Sequence, residues 1–146
     1  MRYPAVVHEE EGAFVVDFPA CPGCVTQAES KEEIIPMARE ALSGWLAGTM
    51  NMGVVPPIAP RHVGTPKGHR LLWIDVPPKL AVKIALRQTR DQAGLSQEQL
   101  AKRARVSRQQ ITKLEDPDSN PTIDTLEKVA QALGVTLEIG LVPMRA

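Results

Sequence analysis

Leu95-Ser96-Gln97-Glu98-Gln99-Leu100-Ala101-Lys102-Arg103-Ala104-Arg105-Val106-Ser107-Arg108-Gln109-Gln110-Ile111-Thr112-Lys113-Leu114-Glu115-Asp116, residues 95–116, is the stretch on which the reading of this chain turns. It holds two S-x-x-Q capping boxes eleven residues apart, one opening at Ser96 and one at Ser107. Each marks a helix start: the serine hydroxyl accepts from a first-turn amide and the glutamine reaches back to the serine amide. Starts so close together leave room for one two-turn helix and a tight turn. Leu100, Ala101, Val106, Ile111 and Leu114 supply the apolar positions that hold the pair together. Ala101 stands where the helices cross, and a larger side chain there would hold them apart. The pattern is a helix-turn-helix.

The second helix of such a pair lies in the major groove of DNA and presents its first residues to base edges. Those residues are Arg108 and Gln109, with Lys113 one turn on and Thr112 beside it. Arginine suits a bidentate pair with guanine, and glutamine suits adenine. Gln97 and Ser107, at helix starts, are placed to meet phosphate oxygens, and Lys102 adds a phosphate-seeking charge. Charge supports this. The chain of 146 residues has zero net charge, but residues 1–78 carry six Lys/Arg against nine Asp/Glu, and residues 79–146 carry eleven against eight. Nine of those basic residues fall within 79–113, against two acids, which favours a polyanionic partner. Two duller readings compete: a plain four-helix bundle with basic surfaces, and a helix-turn-helix used for protein contact alone.

Working outward, residues 79–93 form the preceding helix, closed by Gly94, and a further helix follows Pro121, with Gly134 as its stop. Residues 135–141 read as a terminal strand whose free edge would help form a dimer. Upstream, residues 3–7 and 13–18 read as strands joined by the turn Glu9-Glu10-Glu11-Gly12, with a third strand at 25–28. Ser30-Lys31-Glu32-Glu33 is another capping box, and Ile34, Ile35, Ala38, Ala41, Leu42, Trp45 and Leu46 share one helical face. Pro36 sits past the first turn, so the helix is expected to start later than the box indicates. Prolines and glycines make residues 47–70 a loop, and residues 71–76 a fourth strand, expected to return parallel through a right-handed crossover. Pro77-Pro78 marks the boundary. The expected class is α+β: a β-β-β-α-β unit over residues 1–76, then an all-α helix-turn-helix unit with a terminal strand over residues 77–146.

Residues 80–134 resemble the phage-repressor (Cro/Xre) helix-turn-helix family through Leu95–Ala101, Val106-Ser107-Arg108, Ile111–Glu115, Asn120-Pro121-Thr122 and Ala132-Leu133-Gly134-Val135. Arg105 departs from the glycine usual in that turn, and a left-handed arginine costs about 1 kcal/mol. Residues 1–60 resemble HicB antitoxins through Met1-Arg2-Tyr3-Pro4, Gly12–Pro19, Pro22–Gln27, Ala38–Leu42 and Pro56–Pro60. That resemblance implies a partial ribonuclease-H-like fold that covers a small HicA-type messenger-RNA-cleaving toxin, with the helix-turn-helix tail repressing the shared operon. Opposite charge on a basic toxin points to Glu9, Glu10, Glu11 and Asp17 as toxin contacts. The DNA partner is an inverted-repeat operator, read by a homodimer or homotetramer. The other surviving reading is a ligand-responsive repressor whose first half senses a small molecule.

Several features exclude other classes. Cys21-Pro22-Gly23-Cys24 is only half of a zinc site, and a strand rather than a helix follows it, so neither metal nor redox chemistry is expected. Asp17 is the only acid well inside an expected strand, too few for a metal-dependent nuclease. No catalytic triad or phosphate loop is present, so an enzyme and a cofactor are not expected. No apolar run approaches the roughly 18–20 residues of a membrane span, and no signal peptide is visible, so a cytoplasmic address is expected.

Overall fold

The computed structural model describes residues 1–144. Strand β1 (Arg2–Glu10) turns back into β2 (Ala13–Asp17) through Glu11-Gly12, whose φ angles of 51° and 80° make the tight hairpin that matches strand twist. The turn is thus two residues long, and Glu9 and Glu10 belong to the strand. β3 (Val25–Ala28) pairs with β2, and β4 (Arg70–Asp75) pairs with the other side of β1. The order is β3-β2-β1-β4, and every pairing is antiparallel.

The parallel return expected for the fourth strand does not occur: Arg70 sits opposite Val7 and Asp75 opposite Arg2. Residues 52–69 are the reason. This irregular segment is long enough to carry the chain back along the sheet after the helix, so β4 enters at the far end of β1 and the crossover rule has no purchase.

Helix α1 (Lys31–Asn51) lies on one face of the sheet. Ile34, Ala38, Leu42, Leu46 and Met50 repeat every four residues and pack on Tyr3, Ala5, Val7, Val16, Phe18 and Ile74. Contrary to expectation, the helix begins at Lys31 and runs through Pro36. Glu32, whose carbonyl loses its partner to the proline, is exposed to water, while Ile34 in the same turn is buried. Burial of one such side chain is worth about 1.5–3 kcal/mol, enough to hold the first turn. The capping box read from the sequence is not made. Ser30 makes no side-chain cap, and Glu33 accepts instead from the Glu29 amide at 3.1 Å.

Helix α2 (Pro78–Gln92) starts on Pro78, whose missing N–H costs nothing at the first helical position. Its Leu80 and Ile84 belong to the sheet core, whereas Leu86 belongs to a second core. That second core is built by α3 (Gln97–Ala104), α4 (Arg108–Leu114) and α5 (Ile123–Ala132). α2 is therefore shared between the two cores, and Pro77-Pro78 leads directly into it. The terminal strand expected at residues 135–141 does not form within the chain. A strand needs a partner edge, and this segment instead borders an apolar groove of about 850 Å³, across from Val76, Ala81, Val82 and Leu126.

The cysteines are both buried free thiols. Burial pushes Cys21 up to about 12, with Cys24 adding to it, and pushes Cys24 up to about 11, with Asp17 adding to it. Burial likewise raises the Tyr3 phenol to about 12, the Cys21 charge adding and a hydrogen bond with Gln88 opposing. These groups stay neutral in the fold while their unfolded counterparts ionise first. Their stabilising contribution is complete below pH 9 and is lost as pH rises from there toward 12. Both tryptophans, Trp45 and Trp73, lie in the sheet half and report it by fluorescence. Their urea midpoint is expected to fall between pH 8 and pH 10.5, and to fall less in Cys21→Ala. An unchanged midpoint would contradict the burial of neutral thiols.

Candidate nucleic-acid interface

Both capping boxes read from the sequence are complete. The Gln99 amide donates to Ser96 Oγ at 3.1 Å, and the Ser96 amide to Gln99 Oε1 at 2.9 Å. The Gln110 amide donates to Ser107 Oγ at 3.1 Å, and the Ser107 amide to Gln110 Oε1 at 2.8 Å. Between the helices, Arg105 takes the left-handed conformation (φ 56°, ψ 43°) that the turn demands. Leu100, Ala101, Ala104, Ile111 and Leu114 are buried against Leu126 and Val129 of α5. The two helices are thus fixed at both ends and along their shared face.

This leaves α4 with a sharply divided surface. Arg108, Gln109 and Lys113 are exposed, as is Lys102 on α3, where a long 3.9 Å contact with Glu98 contributes little. Gln97, Ser107 and Thr112, also read as DNA contacts, make hydrogen bonds within the helix-turn-helix as well. Gln97 Nε2 donates to Glu115 Oε2 at 2.9 Å, and its Oε1 accepts from Thr112 Oγ1 at 3.0 Å. Ser107 Oγ serves its cap. These three help orient α4, along which Arg108, Gln109, Gln110, Thr112 and Lys113 are exposed.

Glu115, which closes α4, is a residue that the sequence pattern did not single out. It is 2% exposed. Arg90 Nε and Nη2 donate to its two oxygens at 2.5 and 3.0 Å, and Arg87 Nε lies 3.5 Å from Oε2. Lys83 is also buried, donating through Nζ to the carbonyls of Pro117 (2.8 Å) and Ser119. Burial lowers the Lys83 pKa, with Lys79 adding to the effect and Asp116 and Asp118 opposing it. The basic run is accordingly not one surface. Lys83, Arg87 and Arg90 brace the fold, and Lys79, Lys102, Arg103, Arg105, Arg108 and Lys113 remain exposed. The signal was present: Leu80, Lys83, Ile84 and Arg87 fall on one helical face, at the spacing of residues that point inward.

The four acids read as toxin contacts are exposed but are not gathered into one cluster. By strand alternation Glu10 and Asp17 share the sheet face opposite α1, Glu9 faces the other way, and Glu11 is in the turn. Glu10 is held by His8 at 3.2 Å. Among the described residues, no group of three or more His, Cys, Asp or Glu is arranged to hold a metal ion. No helix of the structure is long and apolar enough to cross a membrane.

A family model of the HicB-like antitoxin of bacterial toxin-antitoxin systems matches residues 3–71, and a helix-turn-helix model matches residues 86–139. Antitoxin HicB 1 of Photorhabdus laumondii is 32% identical over 142 residues, covering 97% of this chain and 87% of that protein. Antitoxin HicB of Escherichia coli K12 is 29% identical over 143 residues, covering 97% and 100% respectively. A solved chain from a HicA3 and HicB3 toxin-antitoxin complex overlaps 53% of this chain and 100% of its own length, with 24% identity and a TM-score of 0.48. With the Photorhabdus laumondii antitoxin 32% identical over 97% of this chain and 87% of its own length, this chain belongs to the HicB antitoxin family.

Proposed function

We propose that this chain is a cytoplasmic antitoxin without catalytic activity, which binds and neutralises a small messenger-RNA-cleaving toxin of the HicA type. The same chain represses its own operon by binding DNA sequence-specifically. The observation that carries the DNA-binding part is the division of labour on α4. Gln97, Thr112, Ser107 and Glu115 fix the helix, and Arg108, Gln109 and Lys113 are left exposed along it. Arg108 and Gln109 would read base edges, while Lys113 and Lys102 would meet phosphates. On the sheet half, Glu10 and Asp17 offer negative charge on the face α1 does not cover, which suits a basic RNA-binding partner. Glu9 and Glu11 extend that charge around the hairpin.

One recognition helix reads too few base pairs for useful specificity, so two copies act together on an inverted repeat with half-sites roughly 34–36 Å apart. The test is titration of the full chain against DNA from upstream of its own gene, with footprinting. Two protected blocks one turn apart are expected, with binding at least about 10³-fold tighter than to random duplex. Equal affinity for both duplexes would refute operator recognition.

Dimerisation has a candidate element. Ile139, Leu141, Val142 and Met144 are all exposed, on a segment with no strand partner in its own chain. Deleting residues 135–146 should convert the two-fold assembly to monomer in sedimentation, and should abolish simultaneous occupancy of both half-sites. A truncated chain that still dimerises and footprints normally would assign dimerisation elsewhere.

A further inference from the structure

Helix α1 ends against helix α2, and a buried charge makes the contact. Arg87 is 8% exposed. Its Nη1 donates to the carbonyl of Met50 at 2.7 Å and to that of Val54 at 3.4 Å. The other side of the same guanidinium faces Glu115: Nη2 donates to its backbone carbonyl at 3.4 Å, and Nε stands 3.5 Å from Oε2. α1 has no basic residue in its own last turn, although its last carbonyls carry the negative end of the helix dipole. Arg87 supplies that missing cation from another helix. Next along α2, Gln88 Nε2 donates to the carbonyls of Pro56 and Pro57 at 3.0 and 3.1 Å. The Tyr3 hydroxyl donates to Pro57 as well, at 2.6 Å.

The charge count makes this contact more than packing. Glu115 is one carboxylate between two guanidinium groups, and Arg90 holds it with the two shorter bonds. Arg87 is the cation left over, and Nε has no hydrogen-bond partner among the described residues. Its charge is balanced jointly by the α1 carbonyls and by Glu115. Moving the end of α1 would leave Arg87 to compete for Glu115, and moving Glu115 would throw the whole burden onto α1.

We propose that Arg87 is a positioning residue that ties the recognition helix α4 to the end of α1, so that the sheet half and the DNA-reading half open as one unit. Binding on either half then changes the other by the same factor, as linkage requires. The functional consequence rests on the DNA-binding reading above, but the first arm of the test needs no DNA.

Amide hydrogen exchange on the full chain reads both ends of the clamp. The Val54 amide donates to Thr49 at the end of α1, and the Glu115 amide donates to Ile111 at the end of α4. Arg87→Met is expected to lower protection at both sites together, roughly tenfold or more, as loss of a hydrogen bond to a charged group implies. Gln88→Leu should lower protection at Val54 only. If Arg87→Met weakens one site and leaves the other unchanged, the clamp does not exist. Should Arg87→Met fail to fold, Arg87→Lys keeps a buried cation but cannot span both acceptors, and it is expected to lower protection at both sites as well. In the second arm, promoter duplex should raise protection at Val54 in the wild type and not in the Arg87 variant, whose α4 amides still gain protection. Equal gains at Val54 in both proteins would overturn the proposal. Absence of any DNA effect on α4 in both would instead refute operator binding, with the free-chain exchange still deciding the role of Arg87.

Discussion

Glu115→Ala is expected to cost about 3–5 kcal/mol of stability, because it removes the buried carboxylate shared by the buried Arg87 and the partly buried Arg90. Both lose their carboxylate partner, since Arg90 donates to its two oxygens and Arg87 faces the same side chain, and only carbonyl acceptors (Leu95 for Arg90, Met50 and Val54 among those for Arg87) remain. The substitution also frees Gln97, which then no longer holds Thr112 against the start of α3. The measurement is urea unfolding followed by far-ultraviolet circular dichroism. Glu98→Ala is the control. Its carboxylate is exposed and 3.9 Å from Lys102, so its loss should stay below about 1 kcal/mol. A Glu115→Ala penalty no larger than that of Glu98→Ala would mean that the buried cluster is not what sets α4 in place.

Arg108→Ala is expected to lower operator affinity by about 2–6 kcal/mol for the assembled dimer, because each copy loses one base contact worth about 1–3 kcal/mol. Gln109→Ala should behave likewise. Arg108 and Gln109 sit in the first turn of α4 with exposed side chains, so the substitutions leave the fold intact. Binding to random duplex should change little. Lys102→Ala and Lys113→Ala supply the contrast. They should weaken binding to operator and random DNA alike, and flatten the salt dependence in proportion to the phosphates no longer neutralised. If Arg108→Ala reduced binding to both duplexes equally, Arg108 would be a phosphate contact and the base reader would lie elsewhere.

The parts of this molecule that the sequence made legible are those fixed by local chemistry. Ser96-x-x-Gln99 and Ser107-x-x-Gln110 place two helix starts without reference to anything distant, and both caps are present as read. The left-handed Arg105 follows from the same register. What the sequence concealed depends on partners far along the chain. The direction of β4 is set by how residues 52–69 travel, which no local pattern records. The role of Arg87 depends on Met50, thirty-seven positions away, and that of Glu115 on Arg90 and Gln97. Basic residues counted by sign alone merge a brace with a surface. Helical spacing from Leu80 and Ile84 separates them on α2, because Arg87 continues their buried face, whereas Arg108 and Lys113 are exposed on α4. The terminal segment shows the opposite limit. Its strand-like alternation is real, but a strand is completed by pairing with an edge, and residues 135–141 pair with none among the described residues.

Co-expression with a small HicA-type toxin encoded beside this gene, once one is found there by sequencing, tests the central claim most directly, because it asks one chain for both activities at once. The full chain is expected to restore growth against that toxin, to copurify with it, and to silence a reporter driven by the shared promoter. Arg108→Ala should still restore growth and copurify while the reporter is switched on. A full chain that neither copurifies with the neighbouring protein nor restores growth, yet still represses the promoter, would contradict the antitoxin account and leave a repressor alone.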